Sequence, residues 1–163
     1  MKRNFQRISI IFLFVLVLGS SSATVVGQVS CDQNSIVGAW RGTSGEGNGL
    51  LFSIIAGGNI ISSVQTEVTL NARLSVLTPG HGAWRYDGAC QYTFTSVGLL
   101  YSIQTGKYSG HIKAKGRLTF NPADPNVLVG TDKVFIYDPD GNLVWEVPEG
   151  NTSFVRTVAE PYN

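Results

Sequence analysis

Few side chains in this sequence have the type and spacing that catalysis requires. His81 lies between Gly80 and Gly82, and Arg85 and Tyr92 follow within eleven residues. An imidazole can act as acid or base near neutral pH, so His81, Arg85 and Tyr92 are the candidate catalytic residues. A histidine in a glycine-rich segment more often stabilises a turn, and the sequence favours that second interpretation.

Other kinds of chemistry find less support. The glycine-rich segment 42–49 contains Glu46, but it lacks the Lys-Ser/Thr pair and the following helix of a phosphate-binding loop. No serine has the sequence context of a nucleophile elbow. The two histidines, His81 and His111, and two separated cysteines do not have the spacing of a metal site. The sequence therefore predicts no metal and no cofactor.

The aromatic residues indicate ligand binding instead. Over 108–120 the aromatic rings share a face with Gly110, Ala114 and Gly116, which leaves either tight curvature or empty space beside them. An eight-stranded barrel is the size at which the interior is just filled or holds one small ligand. We expect a cavity, with a filled core as the alternative. The predicted ligand-binding residues are Phe52, Trp84, Tyr92, Phe94, Tyr108 and Ile112.

The segments that carry these residues alternate between apolar and polar side chains. In 59–77, 90–95 and 108–120 every second residue is mostly apolar or small, which places those side chains on one face of a β-strand. In 59–77 the apolar face includes Leu74 and Val76. Such faces are typical of half-buried antiparallel strands.

Turn residues, for example Asp87-Gly88 and Glu149-Gly150-Asn151, separate these segments. Because 59–77 is longer than an ordinary strand, we expect a bend or a break within it. Eight to ten short strands joined by tight turns predict an all-β fold, an antiparallel up-and-down β-barrel of about eight strands, with a β-sandwich as the alternative. The predicted strands are 36–43, 49–57, 59–68, 70–77, 81–87, 89–102, 107–120, 127–137, 143–147 and 153–158.

The N-terminal segment 1–27 has the organisation of a signal peptide. Three basic residues precede an apolar run over 8–18, and small residues follow it. This run is shorter than the roughly 20 apolar residues of a membrane-spanning helix. Cleavage after Ala23 or Gly27 would leave one secreted or periplasmic domain, 28–163, with no stable membrane insertion.

Removal of the signal peptide changes the charge of the chain. It takes away three of the twelve basic residues and none of the eleven acidic ones, so the net charge becomes −2. Binding to nucleic acid needs a clustered basic surface, and a slightly acidic domain argues against it. In an exported protein Cys31 and Cys90 are expected to form a disulfide. Closing so long a loop would contribute about 3 to 4 kcal/mol.

Two short motifs carry a resemblance to known families. Gly38-Ala39-Trp40 and Arg156 resemble the lipocalin and calycin pattern, which implies that Trp40 lies under the barrel floor and that Arg156 packs across it. Pro79-Gly80-His81-Gly82-Ala83-Trp84 resembles the signature of a family of small exported bacterial domains that has no established activity. The resemblance implies a barrel fold and an extracytoplasmic compartment, and it assigns structural roles to Gly38, Trp40 and Arg156.

Three functions follow from the sequence as hypotheses. The first is a non-catalytic exported barrel that binds a small hydrophobic or amphipathic molecule. The second is a barrel enzyme of the cyclase or isomerase kind, similar to allene oxide cyclase, acting on an apolar substrate. The third is an extracytoplasmic module that binds a protein partner through the loops 43–49 and 78–82.

Overall fold

The computed structural model describes residues 30–43, 49–64, 67–70 and 73–158. The predicted signal peptide and Glu46 lie outside these ranges. Within them the chain forms ten β-strands and no helix, and no helix is therefore long and apolar enough to cross a membrane. The strands are β1 (Gly38–Thr43), β2 (Gly49–Ile55), β3 (Asn59–Val64), β4 (Glu67–Leu70), β5 (Arg73–Leu77), β6 (Gly80–Gly88), β7 (Gln91–Ser102), β8 (Tyr108–Asn121), β9 (Asp124–Tyr137) and β10 (Leu143–Arg156).

Eight of these strands form a closed ring, in which neighbours in the chain pair with each other except where β3 pairs with β6 and β10 with β1. The ring runs β1, β2, β3, β6, β7, β8, β9 and β10, and β10 returns to β1 through the pair Trp40 and Arg156. All of the pairings are antiparallel. The predicted up-and-down β-barrel is confirmed, and the β-sandwich alternative is wrong.

The predicted break in 59–77 is present, and it reverses one predicted face. The chain leaves β3 after Val64, and β4 and β5 form a hairpin that extends the ring along one side of β7. The prediction that Leu74 and Val76 are inward is wrong, since they are about 40% exposed while Ser75 and Leu77 are buried. A one-residue slip in register moves every side chain of a strand to its other face.

The two short strands predicted near the C-terminus are one long strand, β10. The predicted turn at Glu149-Gly150-Asn151 is instead an irregularity in the ladder, where the register with β9 shifts between Val147 and Gly150. A bulge adds a residue to one strand without ending the pairing. Turn-forming residues at this place therefore mark a bulge, and β10 continues to Arg156.

His81 does not lie in a turn, and this prediction is wrong. It is in β6, paired with Ile61 on one side and Val97 on the other. The glycines on either side of His81 do not form a turn; they leave room for atoms of the neighbouring strands. A Cβ atom on Gly80 would lie 2.5 Å from the Ser62 hydroxyl oxygen, and one on Gly82 would overlap a backbone carbonyl of β7.

We name the two ends of the barrel by their contents. The disulfide end contains the start of β1 and the turns 56–58, 89–90 and 122–123. The cleft end contains the connections 103–107 and 138–142. Buried residues form two clusters, a large one toward the disulfide end and a small one toward the cleft end.

Candidate ligand site at the cleft end of the barrel

Trp40 closes the disulfide end. Its indole is fully buried, and its N–H donates a hydrogen bond of 2.9 Å to the carbonyl of Ile36. The Arg156 guanidinium lies 4.2 Å from the centre of the Trp40 ring and donates hydrogen bonds to the carbonyls of Val37 and Ser35. Burial lowers the pKa of Arg156. The guanidinium therefore covers the indole at this end of the barrel.

Gly38 permits this arrangement. Its φ of +146° lies in a region that residues with a side chain rarely adopt. A Cβ atom here would lie 2.9 Å from a terminal nitrogen of Arg156. The spacing Gly-x-Trp therefore leaves room for the arginine that covers the tryptophan.

The N-terminal segment is held to the same end by covalent and hydrogen bonds. Cys31 and Cys90 form the predicted disulfide, which joins residues 59 positions apart. The Tyr86 hydroxyl donates to the carbonyl of Cys31, and the Tyr92 hydroxyl donates to the carbonyl of Asp32 at 2.7 Å. Burial, assisted by the neighbouring Tyr86, raises the pKa of Tyr92 to about 12.

Aromatic rings fill the barrel above this floor. The ring of Phe52 stacks on Phe154 at 4.6 Å between centroids and meets Phe94 edge-on at 5.2 Å. Phe94 lies over Gly116, where a Cβ atom would be 2.4 Å from the phenyl ring. Gly116 thus leaves room for the ring of Phe94 from the neighbouring strand β7, and this half of the interior is a packed core.

A layer of small residues separates the packed half from the other half. Ser62 and Ser96 are buried and share a hydrogen bond of 2.6 Å. Gly80 lies against both hydroxyls, and Gly98 lies against the Leu77 side chain. Two hydroxyls that satisfy each other can be buried at little cost, and they make the middle of the barrel polar.

Beyond this layer is the second apolar cluster. Leu77, Leu100 and Ile136 are buried and in contact, and Val64, Ile112 and Val134 pack against them. Leu77 is directly opposite Leu100 in the pairing of β5 with β7. These side chains face inward, so they form an apolar surface inside the barrel toward the cleft end.

A cleft of about 710 Å³ lies at this end. Ser75 and Ser102 are paired across β5 and β7, one step beyond Leu77 and Leu100 on the same inward face, and both line the cleft. The Ser75 hydroxyl is 3.4 Å from that of Ser109. The full lining is Ser75, Ser102, Gln104, Thr105, Lys107, Tyr108, Ser109, Tyr137, Asp138, Pro139 and Val144.

The connection 138–142 forms one wall and keeps a charge there. Asp138 accepts hydrogen bonds from the side-chain and backbone nitrogens of Asn142, which lower the pKa of its carboxyl. On the opposite wall the Tyr108 hydroxyl is 3.3 Å from Nδ1 of His111, whose ring stacks on Tyr137 at 4.6 Å. The rim of the cleft is therefore polar and aromatic, and the adjoining cluster is apolar.

The structure divides the predicted ligand-binding residues between the two halves. Four of them belong to the packed core near the disulfide end, namely Phe52, Trp84, Tyr92 and Phe94. Ile112 contacts the second cluster, and Tyr108 lines the cleft. Sequence reasoning missed the inward serines of β5 and β7, because it placed the apolar face of β5 on the opposite side.

The three candidate catalytic residues do not meet. Arg85 is outward, with its side chain 77% exposed, and pairs with Asp87 at 2.7 Å. In β6 the positions of His81 and Arg85 alternate with that of the buried Trp84, so both side chains lie outside the barrel. Tyr92 lies inside the barrel and is only 1% exposed. The sheet therefore separates the side chains of His81 and Arg85 from the phenol of Tyr92. Among the described residues no group of three or more His, Cys, Asp or Glu could hold a metal ion.

Comparison with known proteins gives no match to this chain among protein-family models, curated proteins or solved structures. The resemblance of the Gly38, Trp40 and Arg156 arrangement to lipocalins therefore stays a prediction. Function has to be argued from the geometry of the chain itself.

Proposed function

We propose that this protein is an exported β-barrel that binds one small amphipathic molecule at the cleft end and catalyses no reaction. The observation that carries the proposal is the cleft of about 710 Å³ at the opposite end of the barrel from the packed aromatic core. Small-molecule sites in proteins have volumes of roughly 300 to 1,000 Å³. The cleft is of the size that holds a single small ligand.

The sequence of polar and apolar groups along the inner wall supports an amphipathic ligand. Ser75 and Ser102 lie at the level of the cleft, and Leu77 and Leu100 lie one step deeper. A ligand with a polar head and an apolar body would place its head among hydroxyls and its body toward the leucines. Sites of this kind combine apolar contact with a few polar groups that fix orientation.

Export is part of the proposal. The Cys31–Cys90 disulfide is of a type that persists in oxidising compartments, outside the cytoplasm. The predicted signal peptide lies outside the described residues, and it would direct the chain to the export machinery. A protein that carries a poorly soluble molecule outside the cell would need the resistance to unfolding that a covalent closure provides.

The test uses the amphipathic probe 1-anilinonaphthalene-8-sulfonate. We expect saturable fluorescence enhancement with one probe per chain, in protein that still unfolds cooperatively. Replacing Ser102 by phenylalanine would fill the cleft from its inner wall, and we expect the affinity for the probe to fall at least tenfold. The matched control is Ser53→Phe, at an exposed position of β2 on the outer face, which should leave affinity unchanged.

Two results would overturn the proposal. One is the absence of saturable binding by folded protein. The other is equal binding by Ser102→Phe, Ser53→Phe and the unaltered chain, which would place the probe elsewhere. Circular dichroism of each variant separates lost binding from lost folding.

A further inference from the structure

The outer face of the barrel changes from polar to apolar toward the cleft end. Near the middle of β7, β8 and β9 one row of paired outward residues is Thr95, Lys115 and Lys133. Two rows nearer the cleft end, the paired outward residues of the same strands are Leu99, His111 and Tyr137. Antiparallel strands that face water on one side normally carry polar side chains there. Contiguous apolar residues on such a face indicate a surface that contacts another molecule.

Three rows of side chains form this apolar surface. Residues that are directly opposite in antiparallel strands lie on the same face of the sheet, so the register defines the rows. The first row is Leu74 and Ile103, the second is Val76, Tyr101 and Tyr108, and the third is Leu99, His111, Tyr137 and Leu143. We call these nine residues the apolar face.

Contacts between the rings hold the apolar face in one arrangement. Tyr101 and Tyr108 meet edge-on at 6.1 Å between ring centroids, and the ring of His111 stacks on that of Tyr137 at 4.6 Å. The Tyr108 hydroxyl is 3.3 Å from Nδ1 of His111. Side chains that are ordered in advance lose less entropy when a partner binds. Tyrosine is also enriched at the interfaces between proteins.

The charges around the apolar face do not oppose contact between two copies of it. The nine residues include no acidic residue, lysine or arginine. Charges of both signs border them. Lys113 and Glu146 lie in the next row toward the middle of the barrel, and Lys107 and Asp138 lie in the connections at the cleft end. Two copies of such a surface would not repel each other through a net charge.

The area of the apolar face is sufficient for a weak dimer. Six of its side chains are between 39% and 50% exposed, namely Leu74, Val76, Leu99, Ile103, Tyr108 and Leu143. A large apolar side chain has about 200 Å² of surface, so the whole face presents on the order of 600 Å² to solvent. Two such faces would bury about 1,200 Å² together, which is the low end of the range for specific interfaces.

We propose that two copies of this chain associate through the apolar face, sheet against sheet. In a symmetric dimer the same patch of both copies forms the contact, and two packed sheets interdigitate their side chains over about 10 Å. A lipid bilayer is the less suitable occupant. Surfaces that bind membranes combine apolar side chains with a surplus of lysine and arginine, whereas acidic residues accompany the lysines that border this face.

Sedimentation equilibrium of the purified protein over a range of concentrations tests the proposal. We expect a monomer and dimer in equilibrium, with a dissociation constant roughly in the micromolar range for an interface of this area. In the double variant Val76→Glu with Leu99→Glu the dissociation constant should rise about tenfold or more, because like charges would be brought together. Leu143→Glu is the second variant if circular dichroism shows that the double variant does not fold, and it should also weaken the dimer.

The matched control is Leu51→Glu with Val155→Glu. These two exposed apolar residues lie on the outer face of β2 and β10, and Arg41 separates them. The control removes the same kind of side chain and adds the same charge outside the apolar face, so the dissociation constant should not change.

Three outcomes would overturn the proposal. One is a folded protein that stays monomeric at every concentration. The second is an equal weakening of the dimer in the control, which would place the interface elsewhere. The third is a monomer that co-sediments with phosphatidylcholine vesicles and loses this binding in the Val76→Glu with Leu99→Glu variant, which would replace the second copy by a membrane. Because Val76 and Leu99 do not line the cleft, these results do not depend on those with the fluorescent probe.

Discussion

The disulfide end and the cleft end of the barrel contain the same strands and differ in how the interior is filled. Thirteen of the described residues form the buried cluster toward the disulfide end, whereas three form the cluster toward the cleft end. The first is crossed by stacked rings and closed by Trp40 and Arg156. The second adjoins a cleft whose lining includes three serines. The comparison teaches that stability and binding can occupy different levels of one barrel.

The largest expected effect comes from the tryptophans. Trp40 is fully buried and Trp145, on β10 toward the cleft end, is 50% exposed. Trp40→Ala should lower the free energy of unfolding by about 3 to 5 kcal/mol, since a buried aromatic is removed and a cavity remains. Trp145→Ala should change it by no more than about 0.5 kcal/mol. Urea unfolding measures both, and equal losses would contradict the division into two regions. Trp40→Phe is the milder variant if the alanine does not fold.

The disulfide should have the next largest effect. Replacing Cys31 and Cys90 by serine opens a link between residues 59 positions apart and should cost about 3 to 4 kcal/mol. The hydrogen bonds from Tyr86 and Tyr92 to the N-terminal segment should weaken with it. Hydrogen exchange would check this, with faster exchange expected at the disulfide end. Uniform acceleration over the whole barrel would show that the two ends unfold as one unit.

The serine pair between the two halves allows a sharper test. Ser62→Ala or Ser96→Ala alone leaves one buried hydroxyl without its partner and should cost about 1 to 3 kcal/mol. The double variant should cost less than the sum, because both polar groups are then absent. A double-mutant cycle in urea measures the coupling. Additive effects would mean that the hydrogen bond contributes nothing.

The smallest expected effect concerns pH. Tyr92 has a pKa of about 12 when folded and about 10 when unfolded, so its stabilising contribution is complete below pH 10 and lost as pH rises through 12. Absorbance titration should show one phenol ionising near pH 12, and Tyr92→Phe should remove that step. The variant also loses the hydrogen bond to Asp32, worth about 1 kcal/mol at neutral pH. Retention of the high-pH step would assign it to another residue.

Much of the fold was predictable because strand signals are local. Alternation over 108–120 gave β8 its inward and outward faces, and Leu118 and Phe120 are buried as that alternation requires. The break within 59–77 followed from length alone. The cleft was less predictable, since its inner wall depends on Ser75 of β5 and Ser102 of β7, which carry no chemical signal in the sequence.

The sequence by itself determined the strand class, the approximate number of strands and the pairing of Cys31 with Cys90, because these depend on local periodicity and on having two cysteines. Only the tertiary structure decided which face of β5 is inward and whether the interior is filled. A period of two defines two faces, but a slip of one residue exchanges them. Filling depends on contacts such as that of Phe52 with Phe94, at 5.2 Å between ring centroids, which joins two strands that are not paired with each other. Such contacts exist only after the barrel closes.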